Sequence, residues 1–236
     1  MKNINFLKDK YFVNGGLYDN LKTFENTMEA YKNAITKNFG IYITIRETKD
    51  HEYICYNDED LTRTHNLKDK VSEITYEELS YLSFYHIPKL EEFINLISNK
   101  VPIIFNLNTH QNKEILNILS NYNNEFAIVS KDNRLLSSIT KKYPHFIIGE
   151  IITKRSFNIT SLLIKPDFKS YNIHYFDSAK LKKLKESNLP VIGYIINTKD
   201  KYLTYKNEFD NLIIDNYYNL ELNDWFLSLI IINYPH

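Results

Sequence analysis

An acidic run is the densest group of potential ligands in this chain. Asn57-Asp58-Glu59-Asp60 places carboxylates on three consecutive residues, and such oxygens suit a hard cation such as calcium. The run lacks the turn glycine and the distal glutamate that a helix-loop-helix calcium loop requires. A solvated acidic turn is therefore the favoured interpretation.

Other titratable side chains stand alone. His110 follows a predicted strand end and could serve a relocated proton-transfer mechanism, although a surface loop histidine is the simpler interpretation. Glu150 follows another predicted strand and could point into a site, with a solvated or ion-paired carboxylate as the favoured alternative. Cys55 is the only cysteine, which excludes an internal disulfide, and it lies within a predicted strand. We expect it to be a small buried residue rather than a nucleophile.

These residues must be positioned by short β-rich runs that alternate with helical patterns. The predicted strands cover residues 11–13, 41–45, 53–56, 101–105, 126–129, 146–148, 162–164, 191–196 and 212–214. The predicted helices cover residues 25–39, 89–98, 113–121, 133–142 and 178–187, with others that begin at 75 and after 219. Thr23 is the candidate N-cap of the first helix, and Thr75 with Glu78 matches a capping box.

Strands that alternate with helices indicate right-handed β-α-β units and a parallel sheet. A strand number near eight predicts an α/β fold, a (β/α)8 TIM-type barrel that forms a single domain over residues 1–236. Periodicity alone leaves a doubly wound sheet as the alternative. No Gly-x-Gly-x-x-Gly motif or phosphate loop follows a strand, which weakens a nucleotide-binding interpretation.

Composition excludes several classes of function. The chain has 29 basic and 29 acidic residues, so no net field attracts it to nucleic acid. Its start has no sustained apolar run of the kind found in signal peptides. The longest late apolar stretch, residues 225–232, is far shorter than the roughly 20 residues that span a bilayer. We therefore expect a cytoplasmic protein with no membrane span and no nucleic-acid partner.

Four motifs follow one another in a fixed order, namely FVNGGLYDN at 12–20, FENT at 24–27, GIYITIRETKD at 40–50 and YNDEDLTRT at 56–64. Together they resemble the opening third of a glycerophosphodiester phosphodiesterase. That family reads His-Arg-Gly, Glu-Asn-Thr, Glu-x-Asp with Thr-Lys-Asp-Gly, and His-Asp with Leu-x-Arg-Thr. Later segments extend the resemblance over nearly the whole chain, namely those at 75–79, 87–93, 101–108, 129–130, 147–149, 191–198 and 210–215.

The resemblance implies a TIM-type barrel and a role in lipid metabolism. Members of the family cut glycerophosphodiesters such as glycerophosphocholine into glycerol 3-phosphate and an alcohol. They hold a divalent cation such as Mg²⁺ or Ca²⁺ on carboxylates, use two histidines to move protons and bind the phosphate with basic residues. A hard cation needs anionic oxygens, and the leaving alkoxide needs a proton donor.

The positions that carry this chemistry are replaced in the present chain. The two histidines correspond to Asn14 and Asn57, and the first arginine corresponds to Gly15. The Glu-x-Asp and Glu-x-Lys pairs correspond to Tyr42 with Thr44 and to Asn106 with Asn108. Residues of the supporting motifs are kept, namely Gly16, Glu25, Asn26, Thr27, Thr48, Lys49, Asp50, Asp58, Leu61, Arg63 and Thr64.

Neutral side chains do not replace these functions. Asparagine does not titrate, so Asn14 and Asn57 lack a general acid–base contribution of roughly 10²–10⁴-fold each. Tyr42, Thr44 and Asn106 offer neutral oxygens, which hold a hard dication weakly. The resemblance thus predicts no catalytic residue, no metal ligand and no cofactor here.

In a TIM barrel these positions meet at the C-terminal ends of the strands, where such folds build their sites. A neutral lining of amides and hydroxyls suits an uncharged polyol or sugar, or a glycerophosphodiester-like ligand; the alternative is a filled mouth with no ligand. The predicted pocket consists of Asn14, Gly16, Glu25, Asn26, Tyr42, Thr44, Asn57, Asp58, Asn106, Asn108, His110 and Glu150.

The leading hypothesis is a catalytically inactive member of the family that acts as a binding or interaction module. The alternative is a phosphoric diester hydrolase with residual or relocated active-site residues, such as His110 or Glu150. A third hypothesis is a protein-interaction role, as a homo-oligomer or in a complex with an active paralogue.

Overall fold

The computed structural model describes residues 2–108, 113–154 and 164–220. The strands of these residues belong to a single sheet. They are β1 (Phe12–Asn14), β2 (Gly40–Glu47), β3 (Tyr53–Cys55), β4 (Ile103–Leu107), β5 (Phe126–Ser130), β6 (Ile147–Ile152), β7 (Phe168–Asn172), β8 (Val191–Ile196) and β9 (Asn211–Ile214).

Eight of these strands close into a parallel barrel. The order is β1-β2-β4-β5-β6-β7-β8-β9, and β9 pairs with β1 to complete the circle. The predicted (β/α)8 barrel is confirmed. The one described strand outside the barrel, β3, runs antiparallel to β2, with Ile45 opposite Cys55. The predicted strand at 53–56 is therefore a hairpin arm and not a barrel strand.

The sixth barrel strand, β7, was not predicted; the predicted strand nearest to it covers residues 162–164. Residues 162 and 163 lie outside the described part of the chain, and Ile164 is not in a strand. The strand that pairs with β6 is β7, which begins with Phe168 beside Gly149. The mixed sequence FKSYN of β7 lacks the continuous apolar run by which the other barrel strands are recognised.

Helices lie between the consecutive barrel strands, apart from the partly undescribed segment between β6 and β7. The α-helices of the described residues are α1 (Phe6–Asp9), α2 (Met28–Thr36), α3 (Thr62–His65), α4 (Tyr76–Leu82), α5 (Leu90–Ile97), α6 (Lys113–Ser120), α7 (Asn133–Lys142), α8 (Ser178–Lys185) and α9 (Lys199–Tyr205). The bounds of α7 agree with the prediction, whereas α1, α3 and α9 were not predicted. The predicted helix after Asn219 lies at residues that the structure leaves undescribed. No helix within the described ranges is both long enough and apolar enough to cross a bilayer.

Helix starts follow the local cap chemistry. The capping box is confirmed, because Glu78 N donates to Thr75 Oγ1 at 3.1 Å and Thr75 N donates to Glu78 Oε2 at 2.7 Å. The predicted cap Thr23 is wrong. Helix α2 begins three residues later than predicted and is capped by Thr27, whose Oγ1 accepts from Ala30 N at 3.3 Å. Asn26 has a left-handed φ of 56°, which prevents the helix from extending backward through it.

Side chains alternate between two apolar layers along each barrel strand. In β2, Ile41, Ile43 and Ile45 belong to the layer between the sheet and the helices, whereas Tyr42 lies inside the barrel. Phe6 and Leu7 of α1 pack against the interior group. This period-two alternation turns the even-numbered residues of β2 and β4 inward.

Candidate functional site

We define the barrel mouth as the C-terminal halves of β1, β2, β4, β8 and β9 together with the described residues 15–18, 25–26, 57–58, 63 and 215. Strand register places Asn14 beside Tyr42 and Thr44 beside Asn106. Asn106 Nδ2 donates to Thr44 Oγ1 at 3.1 Å, and all four residues are buried. The structure thus brings these four predicted site residues together.

Asn14 is held by a carboxylate at the end of β9. Its Nδ2 donates to Asp215 Oδ1 at 3.1 Å, and Tyr18 Oη donates to the same oxygen at 2.7 Å. Burial, followed by the charge of Asp215, raises the pKa of Tyr18 well above its ordinary value. Tyr18 is therefore neutral, and neither it nor Asn14 can exchange a proton near neutral pH.

Tyr42 fills the interior of the barrel. Its ring stacks on that of Tyr194 from β8, with 6.1 Å between centroids and 20° between planes. Burial raises the pKa of Tyr42 well above its ordinary value, so the phenol remains protonated. Its hydroxyl has no hydrogen-bond partner among the described residues. An aromatic pair therefore stands where the family resemblance places a cation-binding carboxylate.

Two kept carboxylates are bound by Arg63. Its Nη1 and Nη2 donate to the two oxygens of Glu25 at 2.5 and 2.7 Å, and its Nε and Nη2 donate to Asp58 Oδ2 at 2.9 and 2.6 Å. These hydrogen bonds, chiefly those to Glu25, raise the pKa of Arg63. Glu25 is only 3% exposed, so the guanidinium neutralises a buried charge.

Two amides, one kept and one at a replaced histidine position, adjoin Glu25. Asn26 Nδ2 and Asn57 Nδ2 donate to Glu25 Oε2 at 3.3 and 3.4 Å. A Cβ atom on Gly15 would lie 2.9 Å from Asn26 Oδ1, and φ at Gly15 is +68°. A side chain at the position of the family's arginine would therefore strain the backbone here and displace the Asn26 amide. Gly16 packs against α2, where a Cβ would lie 2.8 Å from the carbonyl carbon of Ala30.

Glu150 does not point into the barrel mouth, contrary to the predicted pocket. It lies on the same face of β6 as Ile148 and Ile152, which face the helices, and Asn133 Nδ2 of α7 donates to Glu150 Oε1 at 3.2 Å. Asn108 is exposed just beyond β4. His110 lies outside the described residues.

Three residues of the barrel mouth were not predicted. Arg46 follows Thr44 by two residues on β2, and its Nη2 donates to the carbonyl oxygen of Asn57 at 2.7 Å. Burial lowers the pKa of Arg46. The strand period could have revealed Arg46. Tyr194 lies within a predicted strand, and Asp215 directly follows another. Their partners, Tyr42 and Asn14, are distant in sequence, and no local pattern links them.

The residues present do not fit the divalent cation that the resemblance implies. The corresponding side chains are a buried phenol, a hydroxyl and an amide, none of which carries negative charge. The carboxylates of Glu25 and Asp58 are bound to Arg63, whose positive charge opposes a dication. Across the described residues, no group of three or more His, Cys, Asp or Glu side chains is placed to hold a metal ion.

Comparison with known protein sequences gives two matches. Residues 14–218 match the model of the Glycerophosphoryl diester phosphodiesterase family. A glycerophosphodiester phosphodiesterase from Bacillus altitudinis is 35% identical over 109 residues, which cover 42% of this chain and 44% of that protein. The matched segment therefore spans less than half of this curated relative.

Solved structures share the architecture. The fold resembles that of a glycerophosphodiester phosphodiesterase from Thermotoga maritima, with a TM-score of 0.72, 21% identity and coverage of 93% of this chain and 98% of that one. It also resembles an Oleispira antarctica phosphodiesterase solved with its product sn-glycerol-3-phosphate, with a TM-score of 0.73, 16% identity and coverage of 95% and 97%. At these identities the likeness shows the fold.

Proposed function

Because this chain belongs to the Glycerophosphoryl diester phosphodiesterase family, we propose a function from what its barrel mouth keeps and lacks. The protein is a catalytically inactive member that acts as a binding or interaction module. The observation that carries this proposal is the stacked pair of Tyr42 and Tyr194 inside the barrel. A buried neutral phenol supplies neither the anionic oxygen nor the space that a phosphate-bound dication needs.

Proton transfer is also unsupported at the barrel mouth. Asn14 and Asn57 do not titrate, and each already donates its amide hydrogens to a carboxylate. His65, which follows the kept Arg63-Thr64 pair, is engaged at both ring nitrogens, with Thr64 Oγ1 at 2.7 Å and Ser83 Oγ at 2.8 Å. Burial lowers the pKa of His65. These contacts support a structural role for that imidazole.

The alternative, a hydrolase with relocated residues, retains one candidate. Glu150 faces α7 and is hydrogen-bonded there, so it does not support this alternative. His110 remains the candidate proton carrier.

An interaction role would use the exposed surface, which carries large apolar side chains in the described part of the chain. Leu21, Tyr81 and Phe84 are 85%, 91% and 64% exposed. Large exposed apolar side chains favour contact with another molecule where they are contiguous.

The test is hydrolysis of glycerophosphocholine and of a chromogenic phosphodiester, with Mg²⁺, Ca²⁺ or Mn²⁺ added. We expect no release of product above the protein-free rate, while the Bacillus altitudinis relative serves as the active control. Turnover that co-purifies with the protein and is abolished by His110→Ala would establish the relocated hydrolase instead.

A further inference from the structure

Several buried side-chain atoms of the barrel mouth have no hydrogen-bond partner among the described residues. They are the Oδ1 atoms of Asn14, Asn26, Asn57 and Asn106, the Tyr42 hydroxyl and Arg46 Nε. An unpaired polar atom destabilises a folded protein, and native structures bury few of them. So many at one place indicate that another molecule completes the site.

The orientation of three amides is fixed by charge. The Nδ2 of Asn14 faces the carboxylate of Asp215, and the Nδ2 atoms of Asn26 and Asn57 face that of Glu25. A flipped amide would set its oxygen against a carboxylate oxygen, and two acceptors repel each other. These three carbonyl oxygens are therefore acceptors directed away from the protein's own anions.

The unpaired atoms belong to neighbouring residues. Asn14 adjoins Tyr42 in the register of β1 and β2, and Asn106 is bonded to Thr44 two residues further along β2. Gly15, next in sequence to Asn14, lies against both Asn26 and Asn57, with a Cβ position 2.9 Å from Asn26 Oδ1 and 3.1 Å from Asn57 Nδ2. The acceptors therefore gather around the ends of β1, β2 and β4.

The donor and acceptor pattern selects the ligand chemistry. A phosphate or carboxylate offers only acceptors and would meet amide oxygens that cannot donate to it. A metal ion would be opposed by the guanidinium of Arg46, which lies in the same group and is hydrogen-bonded to Asn57. Hydroxyl groups donate to amide oxygens and accept from Arg46 Nε.

We propose that the barrel mouth binds an uncharged polyhydroxyl ligand through these amide oxygens. The inference rests on the proposed function, because a catalytic site for this family would have to bind a phosphodiester anion.

A small adjoining cavity supplies an apolar wall. Its volume is about 190 Å³, and the rings of Phe24, Phe84 and Tyr85 line it beside Glu25 and Arg63. Glu25 connects the two regions, because it lines the cavity and accepts from Asn26 and Asn57. Aromatic faces suit the C–H face of a polyol, and the amides suit its hydroxyls.

The test compares thermal unfolding of three proteins in glycerol, myo-inositol and glycerol 3-phosphate. The site variant is Thr44→Val/Asn106→Leu, which replaces both partners of a hydrogen bond with apolar groups of similar size and so preserves folding. The control is Asn133→Ala, on the outer side of the barrel. Polyols stabilise most proteins by exclusion from the surface, and this effect is common to all three.

We expect a saturable rise in Tm for the wild type and Asn133→Ala with at least one polyol, about 3–5 °C at roughly ten times its Kd. The site variant should show only the unsaturable response, and glycerol 3-phosphate should give no specific rise. Equal responses of all three proteins, preferential binding of glycerol 3-phosphate, or a high-resolution structure with ordered water alone on these amides would overturn the proposal. Hydrolysis of glycerophosphocholine would instead overturn the proposed inactivity, so the two failures are distinct.

Discussion

At the level of single residues, Tyr42 differs from a carboxylate in volume as well as in charge. The ring is fully buried and packs on Tyr194, so the surrounding barrel has adapted to an aromatic side chain. Restoring one acidic residue would therefore create a cavity and an unpaired buried charge together. One substitution at this position would therefore not by itself supply a cation-binding carboxylate.

This reasoning gives a prediction for Tyr42. We expect Tyr42→Glu to lower the free energy of unfolding by about 2–4 kcal/mol without producing hydrolysis, because the new carboxylate lacks both space-filling contacts and a cation. The matched control is Tyr42→Phe, which removes only an unpaired hydroxyl and should change stability by less than about 1 kcal/mol. Urea unfolding measures both. A Tyr42→Glu protein as stable as the wild type would show that the interior is not adapted to the ring.

The other site residues are constrained by partners that lie far away in sequence. Asn14 depends on Asp215, and Glu25 depends on Arg63. Sequence motifs identified Asn14, Glu25 and Arg63 because each lies in a recognisable segment. They could not reveal which donor meets which acceptor, since these contacts arise only when the barrel closes.

At the level of elements, the apolar runs predicted most strands because buried parallel strands are almost continuously hydrophobic. The strand β7 was missed, since Lys169, Ser170 and Asn172 interrupt its apolar pattern. The predicted orientation of Glu150 was wrong, because its side chain lies on the opposite face of β6. The strand was predicted to end at residue 148, but it continues to Ile152, so the side-chain alternation extends through Glu150 and directs it toward the helices.

The corrected cap of α2 provides a test at this scale. We expect Thr27→Ala to lower the free energy of unfolding by about 1 kcal/mol, because Thr27 Oγ1 accepts from Ala30 N. Thr23→Ala should be within about 0.5 kcal/mol of the wild type, since Thr23 caps no helix. Chemical denaturation of the two matched variants measures both changes in the free energy of unfolding and so shows which threonine caps α2. A greater loss for Thr23→Ala would restore the cap predicted from the sequence.

At the level of the whole molecule, the proposed function separates fold from chemistry. The closed parallel barrel depends on apolar layers inside and outside the sheet, and neither layer requires a charged side chain at the barrel mouth. The family frame is therefore compatible with neutral residues at the positions where family members bind a cation and transfer protons. The motifs therefore predicted the fold, but they do not establish activity, which depends on the residues of the site.

A prediction about cations follows for the intact protein. We expect Mg²⁺, Ca²⁺ and Mn²⁺ at millimolar concentration to shift Tm by less than about 1 °C relative to the same protein in EDTA. The reason is that the carboxylates of the barrel mouth already have partners. Glu25 and Asp58 bind Arg63, and Asp215 accepts from Asn14 and Tyr18. The control is the Bacillus altitudinis relative under the same conditions. A saturable rise specific to one cation would indicate a metal site despite the neutral donors.

The most direct test of the central claim is release of glycerol 3-phosphate from glycerophosphocholine by the purified protein with Mg²⁺, Ca²⁺ or Mn²⁺. Inactivity predicts a rate that equals the protein-free rate at every protein concentration. A rate that increases in proportion to protein concentration, and that stays with the protein through purification, would contradict the account.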